Sequence, residues 1–228
     1  MIGIQLVVFD MAGTTIRDKG NVGEAFIKAF EQNGISIPYE EVKKVMGFRK
    51  LDAVNILLEK FGDATQTKSE ALADKIHETF IENMIRHYEQ DSTLSPLPFV
   101  EETFAALKQR GVKIALNTGF PRSIADTILK RLNWEAGKTI DAVIASDEVP
   151  EGRPHPYMIR SVMQQLQVTD SNAVAKVGDT EVDVAEGRRA GCGLVVSVTT
   201  GAYSRAQLEQ YKPDKIIDSL EELSSLIQ

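Results

Sequence analysis

The chain has 228 residues, of which 43% are hydrophobic and 26% charged, enough for one large core or a medium core with a small companion. Its formal net charge of −7 argues against nucleic acid or an anionic membrane as the main partner, because both favour a basic face. The single cysteine, Cys192, excludes an intrachain disulfide and fits a reducing compartment. Since no stretch approaches the ~20 apolar residues of a membrane helix, we predict a cytoplasmic protein.

Apolar runs rich in β-branched residues recur along the chain and predict buried strands. The predicted strands are residues 4–9, 112–116, 142–144, 173–177, 193–198 and 215–217. Helical patterns lie between or after the later strands, at residues 99–109, 122–132, 156–166, 182–190 and 219–227. This alternation is typical of the α/β class and predicts a Rossmann-like core with a parallel sheet and right-handed crossovers.

The stretch between the first two predicted strands breaks this alternation, because it has no strand pattern. Helical patterns occupy residues 22–33, 39–45, 51–61 and 68–89. We therefore predict an α/β core made of residues 1–17 and 94–228, with a small helical cap domain inserted at residues 18–93. Ligands of open α/β sheets bind beyond the carboxyl ends of the strands, so the cap should cover the site.

Loops with polar residues or glycine follow four of the predicted strands. They contain Asp10, Gly13 and Thr14 in the first loop, Thr118 and Gly119 in the second, Arg153 in the third, and Asp179 and Asp183 in the fourth. Neighbouring carboxylates repel unless a cation lies between them, and oxygen ligands suit Mg²⁺. An arginine, hydroxyl groups and backbone amides freed by glycine suit phosphate oxygens. The set predicts Mg²⁺-assisted phosphoryl transfer with a carboxylate nucleophile.

Each of these residues has a simpler interpretation when it is taken alone. An aspartate after a strand, such as Asp179, is often only the N-cap of a helix. The pair Thr118 and Gly119 is compatible with an ordinary turn, and Arg153 with a solvated surface position. Their occurrence together, in this order and each after a strand, is what favours a functional site.

The combined pattern resembles the haloacid dehalogenase-like hydrolase superfamily over the whole chain. It consists of D-x-x-G-T after the first strand, a threonine after the second, a basic residue before proline, and G-D-x-x-x-D. The resemblance implies that Asp10 is a nucleophile forming an aspartyl-phosphate, that Thr118 holds a phosphate oxygen and that Arg153 steadies the charges. The implied Mg²⁺ ligands are Asp10, the backbone carbonyl of Ala12 and Asp179, with Asp183 supporting the water shell of the metal.

Ala12 stands where most phosphatases of this superfamily carry a second aspartate, which protonates the leaving alkoxide. A methyl group cannot transfer protons, so the hydrolysis of ordinary phosphate esters should be roughly 10²–10⁴-fold slower without that acid. Three interpretations stay open. The leaving group needs no proton, another group supplies it, or the protein is a non-catalytic regulatory relative.

D-x-A-G-T also resembles the phosphonatase-like group of the superfamily, which cleaves a P–C bond through a lysine imine. The segments E-G-R-P-H-P-Y-M and M-G-F-R-K resemble the surroundings of that group's arginine and lysine. The resemblance places Lys50 in the imine-forming role, and we add its neighbour Arg49 as a phosphate-binding cation. Two positions depart from the group, since Ala53 replaces a histidine and Phe120 a tyrosine. From the residues alone, a solvated helix end is the favoured interpretation of Lys50, and a substrate-binding cation is the intermediate alternative.

The sequence thus predicts a hydrolase of a small phosphonate or phosphorylated metabolite, with cleavage of a phosphonoacetaldehyde-type substrate through Lys50 as its specific form. The alternatives are a phosphatase acting on a phosphate ester or an acyl phosphate, and a non-catalytic regulatory relative. Mg²⁺ is the expected cofactor. Neither nucleic acid nor a membrane is an expected partner, and a homodimer is compatible with the sequence.

Overall fold

A six-stranded parallel sheet forms the centre of the computed structural model, which describes residues 3–227. Its strands are β1 (Leu6–Phe9), β2 (Lys113–Thr118), β3 (Ala142–Ala145), β4 (Val174–Gly178), β5 (Leu194–Val198) and β6 (Lys215–Ile217). They lie in the order β3-β2-β1-β4-β5-β6, and every neighbouring pair is parallel. This confirms the predicted Rossmann-like fold class. The strand order reverses at β1, and open sheets bind ligands at such a reversal.

Residues 3–227 contain ten α-helices, of which four lie in the predicted cap segment after β1 and six lie in the rest of the chain. The first group is α1 (Asn21–Glu31), α2 (Tyr39–Lys43), α3 (Lys50–Phe61) and α4 (Glu70–Gln90). The second is α5 (Val100–Gln109), α6 (Arg122–Leu132), α7 (Tyr157–Gln165), α8 (Glu181–Ala190), α9 (Arg205–Gln210) and α10 (Leu223–Leu226). None of the helices within residues 3–227 has the length and apolar character needed to cross a membrane.

Alternate residues of β1 enter two different hydrophobic cores, because side chains of a strand point to opposite faces of the sheet. Val7 and Phe9 pack with Phe104 of α5 on one face, where the Phe9 and Phe104 rings lie 5.2 Å apart. Leu6 and Val8 pack with α7 and α8 on the other face. The first strand is therefore buried on both sides, as its continuous apolar run predicts.

The segment between β1 and β2 is helical throughout its regular structure, in agreement with the sequence pattern. The rings of Phe26 on α1 and Phe80 on α4 stack with centroids 4.4 Å apart, in the same hydrophobic cluster as Val7 and Phe9 of β1. The two connections to the sheet run beside each other, since the amide of Leu97 donates to the carbonyl of Thr15 at 3.0 Å. The predicted boundaries of a separate cap domain, at residues 17/18 and 93/94, stay a prediction.

The structure differs from the predicted elements at several element ends and in one additional helix. The predicted helix 219–227 is a 3₁₀ turn, Leu220–Glu222, followed by the short α10. The additional helix is α9, which is six residues long and begins with a capping box between Ser204 and Gln207. A single short turn stabilised by a capping box carries too little periodicity to be recognised from hydrophobic spacing.

We expect Phe80→Ala to lower the free energy of unfolding by about 3–5 kcal/mol, because it leaves a cavity against the Phe26 ring. Urea denaturation followed by circular dichroism measures this loss. The control is Glu78→Ala, an exposed position of the same helix, which should change the free energy by about 0.5 kcal/mol or less. A similar, small loss for both variants would contradict the assigned core.

Candidate functional site

A small cavity lies between the carboxyl ends of the central strands and the helical segment. Its volume of about 170 Å³ is well below the roughly 300 Å³ at which pockets for drug-sized ligands begin, so it suits a small metabolite. From the sheet side it is lined by Asp10, Ala12, Gly13, Thr118, Gly119 and Asp179. Lys50 lines it from the helical segment. The structure therefore brings seven of the predicted site residues to one cavity.

Asp10 follows β1 directly and is held by a buried arginine. Arg153 Nη2 lies 2.6 Å from Asp10 Oδ1 and also donates to the backbone carbonyl of Asn117 at 2.8 Å. Burial raises the pKa of Asp10, and the charge of Arg153 opposes that effect. Burial alone would lower the pKa of Arg153, but the carboxylates of Asp10, Asp183 and Glu186 raise it, so the guanidinium stays charged. Arg153 does not line the cavity, and its contact with the site is through Asp10.

Three buried carboxylates meet at the same edge of the sheet. Asp10, Asp179 and Asp183 offer oxygen atoms that all lie within 4.8 Å of one another. Asp179 is fixed in place, since Thr14 Oγ1 donates to its Oδ1 at 3.1 Å and the amide of Ala202 to its Oδ2 at 2.7 Å. Burial and the charges of Asp10 and Asp183 raise the pKa of Asp179 well above its usual range.

This donor set fits a divalent cation. Of the four buried carboxylates, counting Glu186 behind the three, Asp10, Asp183 and Glu186 pair with the buried cations Arg153 and Lys176. Asp179 has no ion-pair partner among residues 3–227. Carboxylates that repel each other in this way are relieved by a positive ion, and oxygen-only ligands suit Mg²⁺. The predicted ligand Ala12 also borders the cavity, so its backbone carbonyl is in the right part of the molecule.

Lys50 is the first residue of α3 and is only 4% exposed, which contradicts the interpretation as a solvated helix end. Its Nζ lies 5.1 Å from the centre of the Phe120 ring and 5.6 Å from that of Phe26. Burial lowers the pKa of Lys50 to about 8, although the charge of Asp10 acts in the opposite direction. The partial positive charge at a helix N-terminus also favours the neutral amine. At pH 7 roughly a tenth of the amine is then neutral, far more than for an ordinary lysine of pKa 10.5.

Backbone contacts close the helical segment over the sheet beside Lys50. The amide of Lys50 donates to the carbonyl of Gly119 at 3.2 Å. A Cβ on Gly119 would collide with the carbonyl oxygens of Gly47 and Phe48, so only glycine allows this approach. Arg153 Nη1 also reaches the carbonyl of Gly47, at 3.4 Å. The loop that carries Lys50 is thus attached to two loops of the core.

The remaining predicted phosphate-binding residues differ in position. Gly13 has φ +89° and lies against Asp179, where a Cβ would be 2.8 Å from Oδ2. Thr118 Oγ1 lies at the cavity and accepts the amide of Phe120 at 3.1 Å. The Thr14 hydroxyl donates its proton to Asp179. Arg49 Nη1 donates to the carbonyl of Pro150 at 3.2 Å, outside the cavity. This geometry does not support a direct contact between phosphate and Thr14 or Arg49. Their role in phosphate binding stays a prediction.

Two charged residues beside the site were not predicted from the sequence. Lys176, in the middle of β4, and Glu186, on α8, are fully buried, and both contact Asn117. A lysine inside an otherwise apolar strand was the available signal, since Lys is almost never fully buried unless it is paired. Glu186 lies three residues after Asp183, which places both on one face of the helix.

No histidine among residues 3–227 lines the cavity. Ala53 is fully buried on α3, one turn after Lys50, and Phe120 presents only its ring to the Lys50 amine. Besides Asp10, Asp179 and Lys50, the titratable side chains at the cavity are Asp18, Tyr39 and Lys43, all from the helical segment. Thr180, at the start of α8, adds a hydroxyl group. Gly201 and Ala202 also line it, so the loop after β5 belongs to the site.

Comparison with known proteins adds independent observations. A family model described as haloacid dehalogenase-like hydrolase matches residues 4–191. Phosphonoacetaldehyde hydrolases from Bacillus thuringiensis subsp. konkukian and from Bacillus cereus strain ATCC 14579 are 32% and 36% identical to the chain. Each comparison covers 96% of this chain, and 86% and 83% of the respective relative.

Two solved structures share the fold. A phosphonoacetaldehyde hydrolase-like protein from Oleispira antarctica matches with a TM-score of 0.83 at 24% identity, covering 98% of this chain and 91% of the other. A hydrolase from Pseudomonas syringae matches with a TM-score of 0.85 at 19% identity, covering 97% of both chains. At these identities the likeness supports the fold alone.

We expect the Lys50 amine to titrate with a pKa of about 8, because burial disfavours its charged form. Side-chain NMR of ¹³C-lysine protein over a pH series measures it, with Lys50→Met assigning the signal. Lys43 is the control on the same segment, since its hydrogen bond to Glu40 raises its pKa above the ordinary 10.5. A Lys50 midpoint equal to that of Lys43 would contradict the burial of the amine.

Proposed function

Since the chain belongs to the haloacid dehalogenase-like hydrolase family, we propose that it is a Mg²⁺-dependent hydrolase of a small phosphonate or organophosphate, acting through an aspartyl-phosphate on Asp10. The observation that carries the proposal is one small cavity that holds Asp10, the carboxylate of Asp179 and the buried amine of Lys50. The similarity to phosphonoacetaldehyde hydrolases supports a phosphonate with a carbonyl group as substrate. A cytoplasmic location and a homodimer stay predictions.

Arg153 prepares Asp10 for attack on phosphorus. It holds Oδ1 at 2.6 Å and opposes the protonation that burial favours, so Oδ2 is the oxygen free to act as nucleophile. Thr118 and the backbone around Gly119, which also line the cavity, are placed to donate to phosphoryl oxygens. Asp10, Asp179 and Asp183 would hold Mg²⁺, which neutralises phosphoryl charge when it is bound.

An imine on Lys50 would stabilise the leaving group, for which Ala12 offers no acid. The Lys50 amine attacks the carbonyl carbon of the substrate, and loss of water gives a protonated imine. When Asp10 attacks phosphorus, the P–C bond breaks and its electron pair moves into the imine, so that carbon leaves as an enamine and no alkoxide forms. Water then releases phosphate from Asp10, and protonation and hydrolysis of the enamine free the aldehyde and Lys50.

A second candidate function is hydrolysis of an acyl phosphate. Among residues 3–227 no histidine lines the cavity to shuttle protons during imine formation, and the positions of the group's histidine and tyrosine hold Ala53 and Phe120. An acyl phosphate releases a carboxylate, which leaves without a proton, so Ala12 would again be no disadvantage. In that case Lys50 would act as a cation that binds the substrate.

We expect borohydride to trap an adduct on Lys50 when the protein is incubated with Mg²⁺ and phosphonoacetaldehyde. Intact-protein and peptide mass spectrometry locate it. Lys50→Arg keeps the cation but cannot form an imine, so it should lose both the adduct and the release of phosphate. Asp10→Asn should still form an adduct, which retains the phosphonate because the P–C bond is not broken.

The outcomes separate the candidates. Phosphate release that survives in Lys50→Arg but not in Asp10→Asn would rule out imine chemistry, and acetyl phosphate as substrate would then test the second candidate. If the wild-type protein releases phosphate from neither substrate, the proposed hydrolase function is wrong and the non-catalytic alternative is favoured.

We expect Ala12→Asp to raise the turnover of a simple alkyl phosphate ester such as n-butyl phosphate by ~10-fold or more, because it places an acid beside Asp10. Initial rates of phosphate release measure this gain. Ala12→Asn has a similar shape without the acid and should give no gain. Equal rates for the two variants would show that the missing acid is not what limits ester hydrolysis.

A further inference from the structure

A closed network of buried charges lies directly behind the nucleophile. We propose that Glu186 and Lys176, linked through Asn117, are positioning residues that hold the guanidinium of Arg153 and thereby set the orientation of Asp10. None of these three residues lines the cavity, so their action on the reaction is indirect. The inference rests on the proposed function of Asp10 and adds the residues that prepare it.

Arg153 is held from three directions. Its Nη2 lies 2.6 Å from Asp10 Oδ1, its Nη1 lies 3.0 Å from Asp183 Oδ1, and its Nε lies 3.2 Å from Glu186 Oε2. These are ion-pair contacts, and Nε has no aligned hydrogen-bond acceptor among residues 3–227, so Glu186 acts on Arg153 through its charge. Three carboxylates around three nitrogens of one planar guanidinium restrict its position electrostatically, while Nη2 is directed by its bonds to Asn117. A lysine ammonium at this position would carry one compact charge and could not place three separate nitrogens beside three carboxylates. Glu186 is the anchor farthest from the reacting atoms.

Lys176 and Asn117 fix Glu186 in turn. Lys176 Nζ lies 2.9 Å from Asp183 Oδ1 and 3.5 Å from Glu186 Oε2, and donates to Asn117 Oδ1 at 2.6 Å. The Asn117 amide nitrogen donates to both Glu186 oxygens, at 2.9 and 2.8 Å. Asn117 Oδ1 also accepts Arg153 Nη2 at 3.1 Å. Each member of the network therefore has its orientation set by the others.

The network is a poor source of stability, which favours a positioning role. Taking charges out of water costs several kcal/mol per ion, and well-packed apolar residues in place of a buried ion pair are often equally or more stable. Lys176 lies in the otherwise apolar strand β4, and Glu186 lies on the buried side of α8, next to the core of Val174, Val184 and Val195. The charges of Lys176 and Glu186 instead restrict the position of the Arg153 guanidinium.

Glu186→Gln tests the proposal, because it keeps the side-chain shape and removes the charge that holds Arg153 Nε. We expect kcat for phosphate release to fall by about 10–100-fold, the range found when residues that orient active-site ligands are replaced, with KM changed less than twofold. Glu209→Gln, the same substitution at an exposed position, should leave kcat unchanged.

A double-mutant cycle with Arg153→Lys separates positioning from a general structural effect. If Glu186 acts through Arg153, then Arg153→Lys should cost much less in the Glu186→Gln background than in the wild type. Independent, multiplicative losses would overturn the proposal, as would a kcat of Glu186→Gln within twofold of wild type. Thermal unfolding of each variant shows whether it is folded.

A double variant without either charge tests the proposal if Glu186→Gln alone does not fold. Lys176→Met with Glu186→Gln removes opposite charges together, so it should fold and still show the lower kcat. A folded double variant with wild-type kcat would contradict the proposal.

A binding measurement makes the test independent of substrate turnover. Beryllofluoride with Mg²⁺ imitates the phosphoryl group on an aspartate, and ¹⁹F NMR reports its binding to Asp10. We expect Glu186→Gln to weaken this binding by about tenfold, following the cost of losing an orienting residue. Weaker binding in the variant supports the positioning role even if the wild-type protein hydrolyses none of the substrates, whereas equal binding in both proteins would overturn it.

Discussion

The buried ion pair between Arg153 and Asp10 is the interaction on which the rest of the site depends. Asp10 is out of water at the end of β1 and close to Asp179 and Asp183, so its charged form would be unfavourable without a fixed cation. Arg153 supplies that cation from the loop after β3 and contacts α8 through Asp183. One guanidinium therefore ties together the strand ends that form the cavity.

The same arginine connects the sheet to the helical segment. Its Nη1 reaches the carbonyl of Gly47, two residues before Arg49, and the amide of Lys50 contacts Gly119. These contacts place the N-terminus of α3 at the cavity and bury the Lys50 amine between the rings of Phe26 and Phe120. The low pKa of Lys50 is a consequence of this closure, because burial is its largest cause.

The chemistry proposed for the site follows from one missing carboxylate and one buried amine. Ala12 offers no acid for an alkoxide, whereas Lys50 offers an amine with an available neutral fraction in the same cavity. Both features favour substrates whose leaving group needs no proton. The cavity volume of about 170 Å³ also favours a small substrate.

The sequence by itself determined the fold and much of the site. Continuous apolar runs identified the strands because both faces of the sheet are buried, and D-x-x-G-T and G-D-x-x-x-D placed Asp10, Asp179 and Asp183 at strand ends that must meet at one edge. Only the tertiary structure decided which neighbouring cations face the site. Lys50 and Arg49 are adjacent, yet one is sealed in the cavity and the other points to Pro150. Lys176 and Glu186 likewise became part of the site only through contacts between β4, α8 and Asn117. Burial and pairing depend on segments distant in sequence, so no local pattern could reveal them.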